Sequence, residues 1–278
     1  MSATNTLILS REGIFPLSGG NTGLPLSGTL QGEGKLVGTP SMFVRLQGCN
    51  LRCIWLSTNG KPCQCDTAHT SFGPGDPYKL SVDEAFSILK QNMGAMRHVV
   101  ITGGEPLIQA TAVHSLIQRC NAEGWHTTVE TNGTIYSPQI VRDASLLSIS
   151  PKLSSSIPTN EKLMALKFQA DNKITQHHRE TISNLQPLAN ILSEATKYKT
   201  DVQLKFVVSS PKDEDEIKEH YAMILSLINP EDVLIMPMGF THQEIAQSNQ
   251  AAISMCLRNN WRYTPRLHID LFGNKEGV

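Results

Sequence analysis

The sequence predicts an α/β fold with a mostly parallel sheet of the barrel kind. Three observations predict it. From Leu80 onward, short apolar runs alternate with helical patterns, giving six or seven strands in βα order. Polar, glycine- or cysteine-bearing motifs follow those runs, and the C-terminal strand edge is the ligand edge of α/β barrels. No G-x-G-x-x-G opens the first βα turn, which disfavours a Rossmann fold.

In chain order, Leu7-Ile8-Leu9 and Ile14-Phe15-Pro16-Leu17 are short apolar stretches ahead of a turn-forming loop, Ser18-Gly19-Gly20-Asn21. Gly32-Glu33-Gly34 is either a plain turn or a place where backbone meets a ligand. Ser41-Met42-Phe43-Val44-Arg45-Leu46 reads as a strand, with Arg45 available to an anion. Ser81-Val82-Asp83-Glu84 is a capping box that opens a helix. The strand His98-Val99-Val100-Ile101 runs into Thr102-Gly103-Gly104-Glu105-Pro106. The next helix carries Val113, Leu116, Ile117 and Cys120 on its core face, with Gly124 just past its end. Strands at 125–130 and 146–149 end at Thr131-Asn132-Gly133 and Ser150-Pro151-Lys152. Residues 153–178 show no regular pattern. A helix is expected over about 180–199, interrupted at Pro187. Then follow a strand at 202–208, a helix at 213–227 and a strand at 233–236 ending in Pro237-Met238-Gly239. Thr241 caps a long last helix with Cys256 buried in it, and 261–268 reads as a final strand.

Composition sets bounds. At 278 residues the chain can bury about three-quarters of its unfolded surface, enough for one large domain over 1–278. Net charge is -1, which points to no nucleic-acid or acidic-lipid partner. No apolar run approaches the length of a membrane span, and residues 1–6 lack a signal-peptide pattern, so a cytoplasmic location is expected.

Four of the six cysteines, Cys49, Cys53, Cys63 and Cys65, fall within seventeen residues. In a chain of this size such clustering favours metal or redox chemistry over a disulfide scaffold. Structural zinc usually takes Cys-x-x-Cys knuckles. Here the inner spacings are three residues and one, which suit zinc poorly. Three thiolates suit a [4Fe–4S] cluster with one iron free. Spacing alone leaves zinc and buried structural cysteines open.

The cysteines after one strand and Ile101-Thr102-Gly103-Gly104-Glu105-Pro106 after the next resemble the radical S-adenosylmethionine superfamily. The usual third cysteine is missing, since Leu56 stands in its place. A closer resemblance is to the 7-carboxy-7-deazaguanine synthase family. It is carried by Thr29-Leu30-Gln31-Gly32-Glu33-Gly34, Phe43-Val44-Arg45-Leu46-Gln47-Gly48-Cys49, Cys65-Asp66-Thr67, Glu130-Thr131-Asn132-Gly133-Thr134, Ser150-Pro151-Lys152 and the tail from Gly273 to Val278. It spans residue 29 to the C-terminus.

This resemblance implies a modified, incomplete TIM-like barrel, with insertions at 16–27 and 56–64. It implies a carbon–nitrogen lyase of queuosine-type 7-deazapurine biosynthesis, contracting the ring of 6-carboxy-5,6,7,8-tetrahydropterin with loss of ammonia. The cluster ligands would be Cys49, Cys53 and Cys65, with Cys63 either replacing Cys53 or standing by. S-adenosylmethionine would meet Gln64, Cys65, Asp66, Gly103, Gly104, Glu105, Ser150, Pro151, Lys152, Met236, Pro237, Met238 and Gly239. The family has Gln where Met236 stands, so contact there would be through backbone. Thr67 would ligate Mg²⁺. The substrate would meet Leu30, Gln31, Gly32, Arg45, Thr102, His268 and the terminal carboxylate of Val278. A homodimer and a flavodoxin- or ferredoxin-like electron donor are implied as well. The rivals are another radical enzyme, such as a glycyl-radical activase, and a zinc-stabilised binding module.

Overall fold

The computed structural model describes residues 5–57, 59–73, 75–275 and 277–278. The chain opens with a long strand, β1 (Thr6–Phe15), then a two-residue strand β2 (Thr29–Leu30) and β3 (Pro40–Leu46). Between β3 and β6 (Tyr78–Ser81) lies a small hairpin, β4 (Ile54–Leu56) and β5 (Pro62–Gln64). Alternation then begins: α1 (Val82–Asn92), β7 (His98–Gly103), α2 (Ala110–Ala122), β8 (His126–Thr131), α3 (Pro138–Asp143) and β9 (Leu146–Ile149). Three helices follow together, α4 (Asn160–Ala165), α5 (Asn172–Ser183) and α6 (Gln186–Tyr198). The chain finishes with β10 (Asp201–Val208), α7 (Lys212–His220), α8 (Ala222–Leu225), β11 (Val233–Pro237), α9 (His242–Asn259), β12 (Arg262–Tyr263) and α10 (Leu267–Phe272).

The main sheet runs β12-β11-β10-β9-β8-β7-β3-β1-β6, with β2 paired to β3. From β3 to β12 every neighbouring pair is parallel, whereas β1 and β6 are antiparallel additions. Among the described residues the two ends of this order do not pair, so the barrel is open. This is the modified, incomplete TIM-like barrel expected.

Strand periodicity sorts the side chains. Val44, Ile101, Val129, Leu147, Leu204, Phe206 and Ile235 enter the main apolar core. Their neighbours Arg45, Thr102, Glu130, Ser148, Lys205 and Met236 line a cleft instead. One face of each strand is therefore packed apolar, and the other carries chemistry.

Several elements depart from the sequence pattern. Residues 153–178 hold α4 and the start of α5, capped by Thr159 and by Asp171. α4 is short, and α5 is polar with few apolar residues to mark it. Pro187 does not interrupt a helix: it sits in the first turn of α6, where its missing N–H costs nothing. The helix expected over 213–227 breaks at Tyr221. That ring turns inward against Phe206, and its hydroxyl donates to the Lys152 carbonyl. The final strand expected over 261–268 is only Arg262–Tyr263, because Pro265 follows and the chain turns into α10. His268 accordingly lies on a helix. Conversely, β1 is one continuous strand where the sequence showed two stretches, and its pairing with β3 shifts register between Leu9 and Ile14.

Candidate active site

The C-terminal ends of β3 and β7 are laced together by backbone contacts, and β8 is tied to them through the Glu105 side chain. The Gly104 amide donates to the Leu46 carbonyl (3.1 Å) and the Glu105 amide to the Gly48 carbonyl (2.8 Å). A Cβ on Gly103 would lie 2.2 Å from the Leu46 oxygen, and one on Gly104 would lie 2.0 Å from the Gly48 oxygen. Only glycine permits this approach. The buried Glu105 carboxylate accepts from Thr131 Oγ1 (2.8 Å), the Asn132 amide (2.7 Å) and the Leu107 amide (3.0 Å). Asn132 Nδ2 in turn donates to Asn50 Oδ1 (2.9 Å), in the middle of the cysteine loop. Glu105 thus fixes the loop ends, and its side chain does not line the cleft.

The cleft, of about 270 Å³, has two chemically distinct ends. At one end Cys49, Cys53 and Cys65 line it beside an apolar cluster of Leu51, Trp55, Ile157, Ile182 and Met238. Burial pushes all three thiols up, Cys49 to about 11. Bound iron would supply the charge that deprotonates them. Among the described residues, no three His, Cys, Asp or Glu side chains gather tightly enough to hold one metal ion. Thiols that ligate separate irons of a cluster need no such convergence. Cys63 belongs to the hairpin: its thiol donates to the Trp55 carbonyl (3.7 Å), and it does not line the cleft.

The other end is ionic. Glu33 pairs with Lys205 and with Arg266 (3.3 Å), and Arg266 also reaches Asp66 (2.6 Å). Burial would raise the Glu33 carboxyl, but these two cations hold it well below the usual range. Arg266 Nη1 donates to the Gly239 carbonyl (2.5 Å). Glu130 accepts from Thr102 Oγ1 (2.8 Å) and from Gln31 Nε2 (3.1 Å). Arg45 reaches into the same space with its guanidinium 4.9 Å from the Phe15 ring centre. Its buried Nε has no hydrogen-bond partner among the described residues. A buried orphan donor is costly and marks a place for an acceptor.

Most residues singled out from the sequence meet here. Leu30, Gln31, Gly32, Arg45, Thr67, Thr102, Gly103, Gly104, Ser150, Lys152, Met236, Met238, His268 and Val278 all line the cleft. Lys152 Nζ donates to Ser150 Oγ (2.8 Å), and Thr67 Oγ1 donates to the Gly103 carbonyl (3.4 Å). Gln64, Glu105, Pro151, Pro237 and Gly239 are not on the cleft wall. Sequence reasoning missed Lys205 and Arg266, as well as Glu12 and His69, which pair at 2.8 Å on the same wall. Lys205 carried one signal, a lysine between Leu204 and the apolar run Phe206-Val207-Val208.

An open parallel barrel with a cysteine loop after one strand and Gly-Gly-Glu-Pro after the next defines a radical S-adenosylmethionine enzyme. A family model, "Radical SAM superfamily", matches residues 43–150. The chain belongs to the 7-carboxy-7-deazaguanine synthase family. It is 41% identical over 252 residues to the 7-carboxy-7-deazaguanine synthase of Halobacterium salinarum, covering 88% of each chain. With that of Rhodopirellula baltica it shares 34% over 249 residues, covering 89% of this chain and 85% of the relative. With that of Bacillus subtilis it shares 30% over 262 residues, covering 90% and 95%. The crystal structure of QueE from Escherichia coli shares the fold, with TM-score 0.58 at 21% identity over 95% of both chains. Membership implies a [4Fe–4S] cluster and S-adenosylmethionine as cofactors. No described helix is long and apolar enough to cross a membrane.

Proposed function

We propose that this enzyme converts 6-carboxy-5,6,7,8-tetrahydropterin to 7-carboxy-7-deazaguanine with loss of ammonia. The relatives' shared name supports the product. The structural observation that supports the substrate end is Arg45 Nε, buried and without a hydrogen-bond partner among the described residues, which would suit a substrate carboxylate.

Three thiols at a water-poor end, beside two glycines whose Cβ space is filled by backbone, fit the cluster and its cofactor. When bound, these groups supply reductive cleavage of a sulfonium and a carbon radical that abstracts hydrogen. Cys49, Cys53 and Cys65 would hold the cluster. Backbone carbonyls at Gly103-Gly104-Glu105 would accept the methionine ammonium. Ser150-Pro151-Lys152, Met236-Pro237-Met238-Gly239 and Gln64-Cys65-Asp66 would hold the rest of the cofactor. The Thr67 oxygen would ligate Mg²⁺, a hard cation that prefers oxygen donors. Leu30, Gln31, Gly32, Thr102 and His268 would orient the pterin, with Glu130 fixing Gln31 and Thr102. A terminal carboxylate at Val278 would reach it from the tail. The chain is read as one domain with insertions at 16–27 and 56–64, acting in the cytoplasm as a homodimer. Its electrons would come from a flavodoxin- or ferredoxin-like donor.

Anaerobic turnover tests this. The reconstituted enzyme, given dithionite, S-adenosylmethionine, Mg²⁺ and the tetrahydropterin, should form 7-carboxy-7-deazaguanine detectable by mass. Formation of 5′-deoxyadenosine without that product would keep the radical chemistry and refute the substrate.

A further inference from the structure

Helix α5 touches the cysteine loop at two points. His177 Nε2 lies 3.2 Å from the Asn50 carbonyl oxygen, and His178 Nδ1 lies 3.3 Å from the Arg52 amide nitrogen. At the second contact His178 itself is only 1% exposed. The partners of His178 decide its tautomer. The Ser156 hydroxyl donates to the Leu153 carbonyl (2.7 Å), so its oxygen is left to accept. His178 Nε2, 3.0 Å from that oxygen, therefore carries the proton. Nδ1 is bare and accepts the Arg52 N–H. The preceding amide faces the other way, since the Leu51 N–H points at Cys49 Sγ (3.4 Å). One amide of the loop thus serves a thiol, and the next is held by a helix.

We propose that His178 is a positioning residue for the cluster. Its Nδ1 holds the Arg52 amide, which keeps the next residue, Cys53, turned into the cleft and keeps that N–H away from the cluster sulfurs. The proposal rests on the cluster reading above. Groups that orient metal ligands from outside the first ring of contacts commonly matter 10–100-fold for metal affinity. Hydrogen bonds to cluster sulfurs also set the reduction potential. A freed amide that turns toward sulfur stabilises the more negative, reduced cluster and raises that potential.

Two polar substitutions separate this role from packing. His178→Gln reaches the Nε2 position and Ser156 but offers no acceptor at Nδ1. His178→Asn places an oxygen at the Nδ1 position and gives up Ser156. The full chain would be reconstituted in each form. Iron release to a ferrous chelator and the cluster midpoint potential, followed by electron paramagnetic resonance, would then be measured. His178→Gln should release iron about 10-fold faster and shift the potential upward. His178→Asn should match the wild type on both. The proposal is overturned if His178→Gln behaves as wild type, or if His178→Asn fails as badly as His178→Gln. A wild-type chain that assembles no [4Fe–4S] chromophore would instead overturn the cluster reading itself, and this proposal with it.

Discussion

The two ends of the cleft handle burial in opposite ways. The thiol end is mostly apolar: Leu51, Trp55, Ile157, Ile182 and Met238 pack beside cysteines whose thiols burial pushes up. The ionic end has its charges already paired, with Lys205 and Arg266 against Glu33 and Asp66. A neutral thiol can be removed without leaving a stranded charge, whereas a member of a buried ion set cannot. Loss of a thiol should therefore remove chemistry and spare the fold. Loss of a charge should damage the fold first.

Cys49→Ala tests the first half and carries the largest effect. It should abolish the brown cluster chromophore and all cleavage of S-adenosylmethionine, while thermal stability of the cluster-free protein changes little. Retained cleavage would sink the assignment of Cys49. Lys205→Met tests the second half. It leaves Glu33 one cation short in a buried site and should cost about 3 kcal/mol in urea unfolding. A loss under about 1 kcal/mol would mean that Arg266 alone satisfies Glu33. Arg45→Gln lies between the two. Removal of a charge-assisted hydrogen bond to a carboxylate should raise the substrate KM about 10- to 100-fold with little effect on folding. An unchanged KM would take Arg45 out of the substrate site.

Acid stability sharpens the contrast. Glu33 has its carboxyl held below the ordinary value of 4.5 in the folded state. Its contribution is complete above the unfolded value and is lost as pH falls from there toward the folded one. The wild type should lose stability as pH drops below about 4.5, and Glu33→Gln should show a shallower acid limb despite lower stability at neutral pH. Parallel limbs in the two proteins would show that other carboxylates set the acid transition. The smallest effect should come from Cys63→Ser. Cys63 is half-buried outside the cleft, so the substitution should stay within about 0.5 kcal/mol and keep the chromophore. Loss of the chromophore would make Cys63 a ligand in place of Cys53.

The thiol end was largely legible in the sequence because it is local. Strand, cysteine loop and Gly-Gly-Glu-Pro each occupy a few consecutive residues, and strand periodicity placed them on one edge. The ionic end was legible only in part: Gln31, Arg45, Asp66 and Thr102 were singled out, but not the ion pairs that hold Lys205 and Arg266 there. Glu33, Asp66, Lys205 and Arg266 come from four distant segments and meet only through the β3-to-β12 order of the sheet. Arg266 was further hidden because residues 261–268 read as a strand, whereas Pro265 turns the chain into α10. His177 and His178 lie in a polar stretch with few apolar residues, and their reach to the cysteine loop is invisible without tertiary structure.

The hairpin between Cys53 and Cys65 separates distance along the chain from distance in space. Ile54 pairs directly with Gln64, Trp55 with Cys63 and Leu56 with Pro62. Paired residues in such ladders lie only about 5 Å apart, so the extra residues leave the two flanking cysteines as near neighbours. A change in length at the exposed tip, beyond this ladder, should therefore leave both thiols where they are. Asn59, Gly60 and Lys61 at its tip are exposed. The tip is thus a natural graft point, where a fluorescent tag or a tethered reductase domain could be spliced beside the redox centre without disturbing it.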